Sequence, residues 1–117
     1  MLNYYTTDEL SRMLKERKPE SFLVPKWITP IMKGRSSSGA IILYSVLLDQ
    51  LLTNFTNNKE LVDENDVRYI TPNNDEIEKS LNESIKPFYE KLANHKLIQQ
   101  DKERVYLLRP ENWEFKI

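Results

Sequence analysis

Within residues 81–108 a short helical pattern, a turn, a second helical pattern and a two-strand ending follow without a gap. No other feature restricts the folds open to this chain as much. Upstream, Thr71, Pro72, Asp75 and Glu76 read as a helix start: Thr accepts a backbone N–H, Pro fits a first turn, and early carboxylates suit the positive end of the helix dipole. Ile77 and Leu81 stand four apart on one face. Asn82, Glu83 and Ser84 break the pattern, and Pro87 opens a second helix whose apolar Phe88 and Leu92 are again four apart. Leu97 and Ile98 begin a strand, residues 99–104 form a polar loop, and Val105, Tyr106, Leu107 and Leu108 return before Pro110. Helix, turn, helix and hairpin in that order predict an α+β winged helix with the polar loop as its wing.

The rest of the chain supplies a core for such a unit. Thr6 and Glu9 form a capping box ahead of Leu10, Met13 and Leu14, which predicts a short amphipathic helix ended by Pro19. Residues 22–28 read as an extended apolar segment that Pro25 confines to an edge or to a packed arm. From Ser38 onward Ala40, Ile41, Leu43, Tyr44, Leu47, Leu48, Leu51 and Leu52 recur every three or four residues, the pattern of a core helix with a wide apolar face. Residues 62–70 read as a β-hairpin with the acidic tip Asp63, Glu64 and Asp66. At 117 residues one domain is expected. It divides into an N-terminal helix and arm (1–38), core helix and hairpin (39–70), helix-turn-helix (71–98), and wing and tail (99–117).

Composition removes several classes of function. There is no cysteine and a single histidine, His95, so thiolate chemistry and a histidine metal cluster are both out of reach. The acidic tip lacks the ligand positions of a calcium loop. No Ser/His/Asp order, phosphate-cradling glycine loop or metal set stands out, so neither an enzyme nor a cofactor is expected. The longest apolar run, residues 40–48, is interrupted by Ser45 and falls short of the ~20 residues a membrane span needs. A cytoplasmic protein without membrane contact is the expectation.

Net charge is −1, unevenly placed. Residues 1–38 carry seven Lys or Arg against four acids, and residues 39–70 two against five. The helix-turn-helix stretch has four against five, and the last segment is balanced. A duplex binder draws much of its affinity from a basic footprint, and this one is faint. On the second helix of the motif, Lys86, Tyr89, Lys91, Asn94 and Lys96 are candidates for phosphates and base edges. Lys102 and Arg104 at the wing are candidates to grip a flanking phosphate, but Asp101 and Glu103 beside them offset that attraction and favour a simple charged turn. The basic residues Arg12, Lys15, Arg17, Lys18 and Lys26, with Tyr4, Tyr5 and Trp27, suit either a single strand held by charge and stacking or an ordinary polar face. Trp27 and Trp113 read first as core or arm anchors and, with Phe115, are also candidate partner anchors, Trp being frequent at interface hot spots; the tail beyond Asn112 alternates like a strand that either packs on the domain or joins a partner's sheet edge.

The segments AIILYSVLLDQLL (40–52), VDENDVRYIT (62–71), EIEKSL (76–81) and LANHKLIQQ (92–100), with FLVPKWI (22–28) upstream, resemble the N-terminal domain of replication initiator proteins of low-GC Gram-positive plasmids. The resemblance implies a winged helix that binds plasmid origin DNA, often as a homodimer, its second helix in the major groove. It places Ser84, Lys86, Tyr89, Glu90 and Lys91 in the turn and on the exposed face of that recognition helix. The interval from Leu81 to Leu97 is shorter here than in the family. Residues 82–87 carry one cation where the family is Lys-rich, and residues 101–104 replace a Gly-Lys-Pro-Asn type of wing.

The leading expectation is a noncatalytic nucleic-acid-binding module of a plasmid or phage element, acting in replication initiation or its control on a duplex origin-like site or a single strand. The rival is a winged helix that kept the shape and lost the basic surface. It would be an accessory subunit of a primase, polymerase or helicase, or a phage inhibitor of a host nucleic-acid enzyme.

Overall fold

The computed structural model describes residues 3–18 and 21–110. Helix α1 (Thr7–Glu16) opens on the expected reciprocal cap: the Thr6 hydroxyl accepts from the Glu9 N–H at 3.1 Å, and the Glu9 carboxylate accepts from the Thr6 N–H at 2.9 Å. Two backbone donors that a helix start leaves without partners are thereby satisfied. Leu10 and Met13 face the core. The helix stops at Glu16, before Pro19, with Arg17 extended.

The arm departs from the expectation of an extended segment. It turns at Lys26 and Trp27 and forms a one-turn helix, α2 (Ile28–Ile31). Ile28 and Met32, four apart, are both buried, and Pro30 is tolerated because a first-turn residue needs no intrahelical donor.

Helix α3 (Ser37–Thr56) spans 20 residues. It is long and apolar enough to cross a membrane by length and composition, longer than the apolar run alone suggests, but its stripe of Ala40, Leu43, Tyr44, Leu47, Leu48, Leu51 and Leu52 is buried within this chain. Ser45 is buried on the same helix and donates to the Ile41 carbonyl at 2.9 Å, satisfying its hydroxyl inside the turn.

Strands β1 (Leu61–Val62) and β2 (Arg68–Tyr69) pair antiparallel, Leu61 opposite Tyr69 and Val62 opposite Arg68. Their connection is built by Asp63, whose Oδ1 accepts from the Asn65 and Val67 N–H groups at 2.9 Å each and whose Oδ2 accepts from the Tyr106 hydroxyl at 2.8 Å. The acidic tip is thus a turn-forming device, and Asp66 closes it in left-handed backbone (φ 62°). Those hydrogen bonds, that to the Val67 amide foremost, hold the Asp63 carboxyl below its ordinary pKa.

Helix α4 (Asn74–Leu81) starts two residues later than Thr71 would place it. Asn73 is the cap, its Oδ1 accepting from the Glu76 N–H at 3.2 Å. After Asn82 (φ 54°) and the turn, α5 (Lys86–Asn94) carries Pro87 in its first turn. Strands β3 (Ile98–Asp101) and β4 (Arg104–Leu107) form the closing hairpin, in register from Ile98 opposite Leu107 to Asp101 opposite Arg104. Residues 99–101 and 104, expected in the loop, are strand, so the tip shrinks to Lys102 and Glu103.

Two single bridges join these parts. Ile70, just before α4, pairs with Val105, and Tyr4 pairs with Leu108. The sequence of core helix, bridging strand, two helices and hairpin is α+β and compatible with the expected winged helix. One continuous cluster of buried side chains connects α1, α3, α5 and the β3–β4 hairpin. At its centre the Tyr44 hydroxyl lies 2.7 Å from the Leu108 carbonyl and 2.7 Å from the Tyr5 hydroxyl. A hydroxyl has one proton, so Tyr44 gives it to Leu108 and accepts from Tyr5.

Candidate nucleic-acid interface

Residues that fill the core decide which residues α5 can present. Ile85, Phe88, Tyr89 and Leu92 are buried, so the opposite side carries Lys86, Glu90 and Asn94, four apart and exposed. Phe88 anchors α5 on α3 at Gly39, where a methyl group would come within 2.2 Å of the ring. The close crossing therefore depends on Gly39 lacking a side chain.

Tyr89 corrects the sequence reading. Expected on the exposed face of the recognition helix, it is buried, and its hydroxyl donates to Asn74 Oδ1 at 2.7 Å. Its neighbours in the apolar arc, Phe88 and Leu92, draw it inward, and the ring fixes α4 against α5. Burial pushes the phenol up to about 12, so it is a neutral donor. A second bond between the two helices runs from the Ile85 N–H to the Glu78 carboxylate at 3.3 Å.

Ser84 and Lys86 are exposed in the turn and at the start of α5, as expected. Lys91 lies on the flank of the helix, where its Nζ donates to the Lys33 carbonyl at 2.6 Å. The outward line therefore presents one cation, one carboxylate and one amide. Across α4 and its turn the exposed side adds Asp75, Glu76 and Glu83 against Lys79, so the surface is near neutral.

At the hairpin tip Lys102 is exposed, in left-handed backbone (φ 58°). Arg104 is not aimed outward from the tip. Its guanidinium lies 4.6 Å from the centre of the Tyr69 ring and 3.5 Å from the Glu64 carboxylate. Arg104 therefore belongs to a charged turn and is not a free phosphate grip: the carboxylate and ring that hold it come from the β1–β2 hairpin.

The N-terminal basic residues do not converge either. Arg12 pairs with Asp8 at 3.1 Å on the surface of α1, and Arg17 pairs with Asp49 at 3.0 Å while donating to the Thr53 hydroxyl at 3.2 Å. Lys15, Lys18 and Lys26 are exposed. Tyr5 is in the core and Tyr4 stands against Tyr106 with ring centres 5.8 Å apart, so neither ring is left to stack a base freely. Trp27, read as a core or arm anchor with a partner anchor as the alternative, is half-buried with its ring edge-on to Tyr44 at 5.5 Å. It is an internal anchor of the arm. Trp113 and Phe115 lie outside the described residues.

Two features escaped the sequence reading. One is the tie that Lys91 of α5 makes to the loop of Lys33, Gly34 and Arg35. The other is a groove of about 650 Å³ between α3 and α4, with Ile42, Val46, Ile77 and Leu81 among its walls and Phe22 at its rim. Among the described residues no group of His, Asp or Glu is arranged to hold a metal.

No family model and no curated protein sequence matches the chain. A solved structure described as that of an MDR initiator is similar in fold, with a TM-score of 0.56 and 21% identity over 96% of this chain and 89% of that one.

Proposed function

We propose that this chain is a winged-helix module that binds duplex DNA, with α5 as the recognition helix, and that it acts in replication initiation of a plasmid- or phage-type element without catalysing a reaction. The observation that carries the reading is the outward line of α5. Lys86, Glu90 and Asn94 stand exposed on a helix whose other side is locked into the core by Phe88, Tyr89 and Leu92. Side chains of these types suit base edges: an amide pairs with adenine, and a carboxylate accepts from the cytosine amino group. Similarity in fold to the MDR initiator supports the same reading, as does the bridge from Ile70 to Val105, which is compatible with the order of a winged helix. Near-neutral charge makes this a binder that leans on hydrogen-bonded readout more than on a broad basic face.

The test is fluorescence anisotropy of the purified chain with labelled duplex and single-stranded DNA at two salt concentrations. Salt-sensitive, duplex-preferring binding is expected. An absence of binding at low salt would overturn the proposal. A second reading, a protein-interaction module, is favoured by the apolar groove between α3 and α4 and by the neutrality of the α4–α5 surface. Its expected outcome is capture of a replication protein that Ile42→Asp and Ile77→Asp abolish without unfolding the chain.

A further inference from the structure

From residue 21 to residue 48 the chain carries Lys26, Lys33 and Arg35 and not one carboxylate. It is the one long stretch of this sequence in which positive charge has no local counterweight. Lys33 and Arg35 fall on the loop between α2 and α3, both exposed, and among the described residues neither forms an ion pair. The loop has a fixed shape. Gly34 adopts φ 85°, the Ser37 hydroxyl donates to its carbonyl at 2.8 Å, and Lys91 Nζ donates to the Lys33 carbonyl at 2.6 Å. A methyl group built on Gly34 would meet only that same Nζ, at 3.9 Å, so the backbone here is open to a close approach.

Lys91 therefore has two consequences. It holds the loop beside α5, and it brings a third cation to it, since an ammonium has three donors and the carbonyl takes one. The wing offers less: Arg104 is engaged by Glu64 and Tyr69, and Lys102 sits between Asp101 and Glu103.

We propose that the loop of Lys33, Gly34 and Arg35, held against α5 by Lys91, is the phosphate-gripping element of this protein and clasps the duplex backbone alongside the recognition helix. The inference rests on the duplex-binding reading above. Arg35 can take a phosphate with two parallel N–H donors, and Lys33 acts as a point charge beside it. Lys91 is a positioning residue for the loop as well as a contributor of charge.

The experiment measures duplex affinity against salt for the whole chain and two variants of equal net charge. Lys33→Gln with Arg35→Gln removes two positive charges at the loop; Lys59→Glu makes the same change in net charge beyond the end of α3. Each lost phosphate contact lowers the slope of log K against log salt by about 0.9. Two lost contacts lower it by about 1.8 and weaken binding about 60-fold at 0.1 M salt. The loop variant is expected to show both effects and Lys59→Glu to keep the wild-type slope. If the unchanged chain binds and the two variants behave alike, the loop assignment is overturned while the duplex reading stands. If the unchanged chain does not bind, both are overturned. The substituted side chains are exposed, and matching thermal unfolding curves check that the fold is intact; Arg35→Gln alone, with an expected slope loss of about 0.9, serves as a third variant.

Discussion

Gly39→Ala is the most incisive perturbation of the α3–α5 crossing. A Cβ at this position would lie 2.2, 2.3 and 2.7 Å from Cζ, Cε1 and Cε2 of Phe88, against ordinary carbon contacts of roughly 3.5–4.0 Å. The ring must retreat by more than about 1 Å. It is 6% exposed and belongs to the main core cluster, so retreat means moving α5 outward or expelling the ring. Overpacking of this kind costs about 1–3 kcal/mol. Alanine returns part of that, up to about 1 kcal/mol in helix propensity and less in a first turn. A net loss of about 1–2 kcal/mol is expected, read by urea unfolding at constant m-value. In a Phe88→Leu background the clash is relieved, so the same substitution should cost almost nothing there, giving a coupling of at least about 1 kcal/mol. Because α5 is displaced, duplex affinity should fall with stability. A Gly39→Ala chain as stable as its parent would refute the close approach of Phe88 and with it the placement of α5.

Three further outcomes follow from named contacts. Tyr44→Phe leaves the buried Leu108 carbonyl without its hydroxyl donor and should cost about 1–3 kcal/mol, whereas Tyr5→Phe, which preserves that bond, should cost less; equal losses in thermal unfolding would contradict the donor order. Asp63 titrates below its ordinary value because it accepts the Val67 and Asn65 amides and the Tyr106 hydroxyl. Its contribution is therefore present above the unfolded pKa of about 3.9 and lost as pH falls through the lower folded value. The stability advantage over Asp63→Asn should disappear on acidification below about pH 4, and a pH-independent difference would count against the turn. Arg104→Ala should lower thermal stability by freeing Glu64 and Tyr69 yet leave the salt slope of duplex binding unchanged; a loss of one contact's worth of slope would return Arg104 to the interface.

Local rules accounted for much of this molecule. The Thr6–Glu9 box needs only residues three apart, and the apolar spacing of α3, the turn at Asp63 and Pro87 at the start of α5 are equally short-range. Where two local devices compete, sequence is less decisive: Thr71 and Asn73 are both able caps, and the outcome lies with the amide that reaches Glu76. A one-turn helix such as α2 has no period to detect, and two prolines within six residues look like an extended arm. The face of Tyr89 was illegible because a tyrosine suits both core and surface until Asn74 is known to lie beside it. Long-range pairings set the rest. Arg104 meets a carboxylate 40 positions away, and Lys91 meets a carbonyl 58 positions away; neither leaves a trace in spacing. The candidate interface was thus half readable: Ser84, Lys86 and Asn94 are exposed as expected, whereas the loop of Lys33 and Arg35 shows only as a stretch free of acids.

Amide NMR of the labelled chain, recorded during titration with a duplex, locates the binding face residue by residue. The largest shifts are expected at Lys86, Glu90 and Asn94 on α5 and at Lys33, Gly34 and Arg35 beside it, with α1 unmoved. Shifts confined to the α3–α4 groove around Ile42 and Ile77, or no shifts at low salt, would contradict duplex binding on α5.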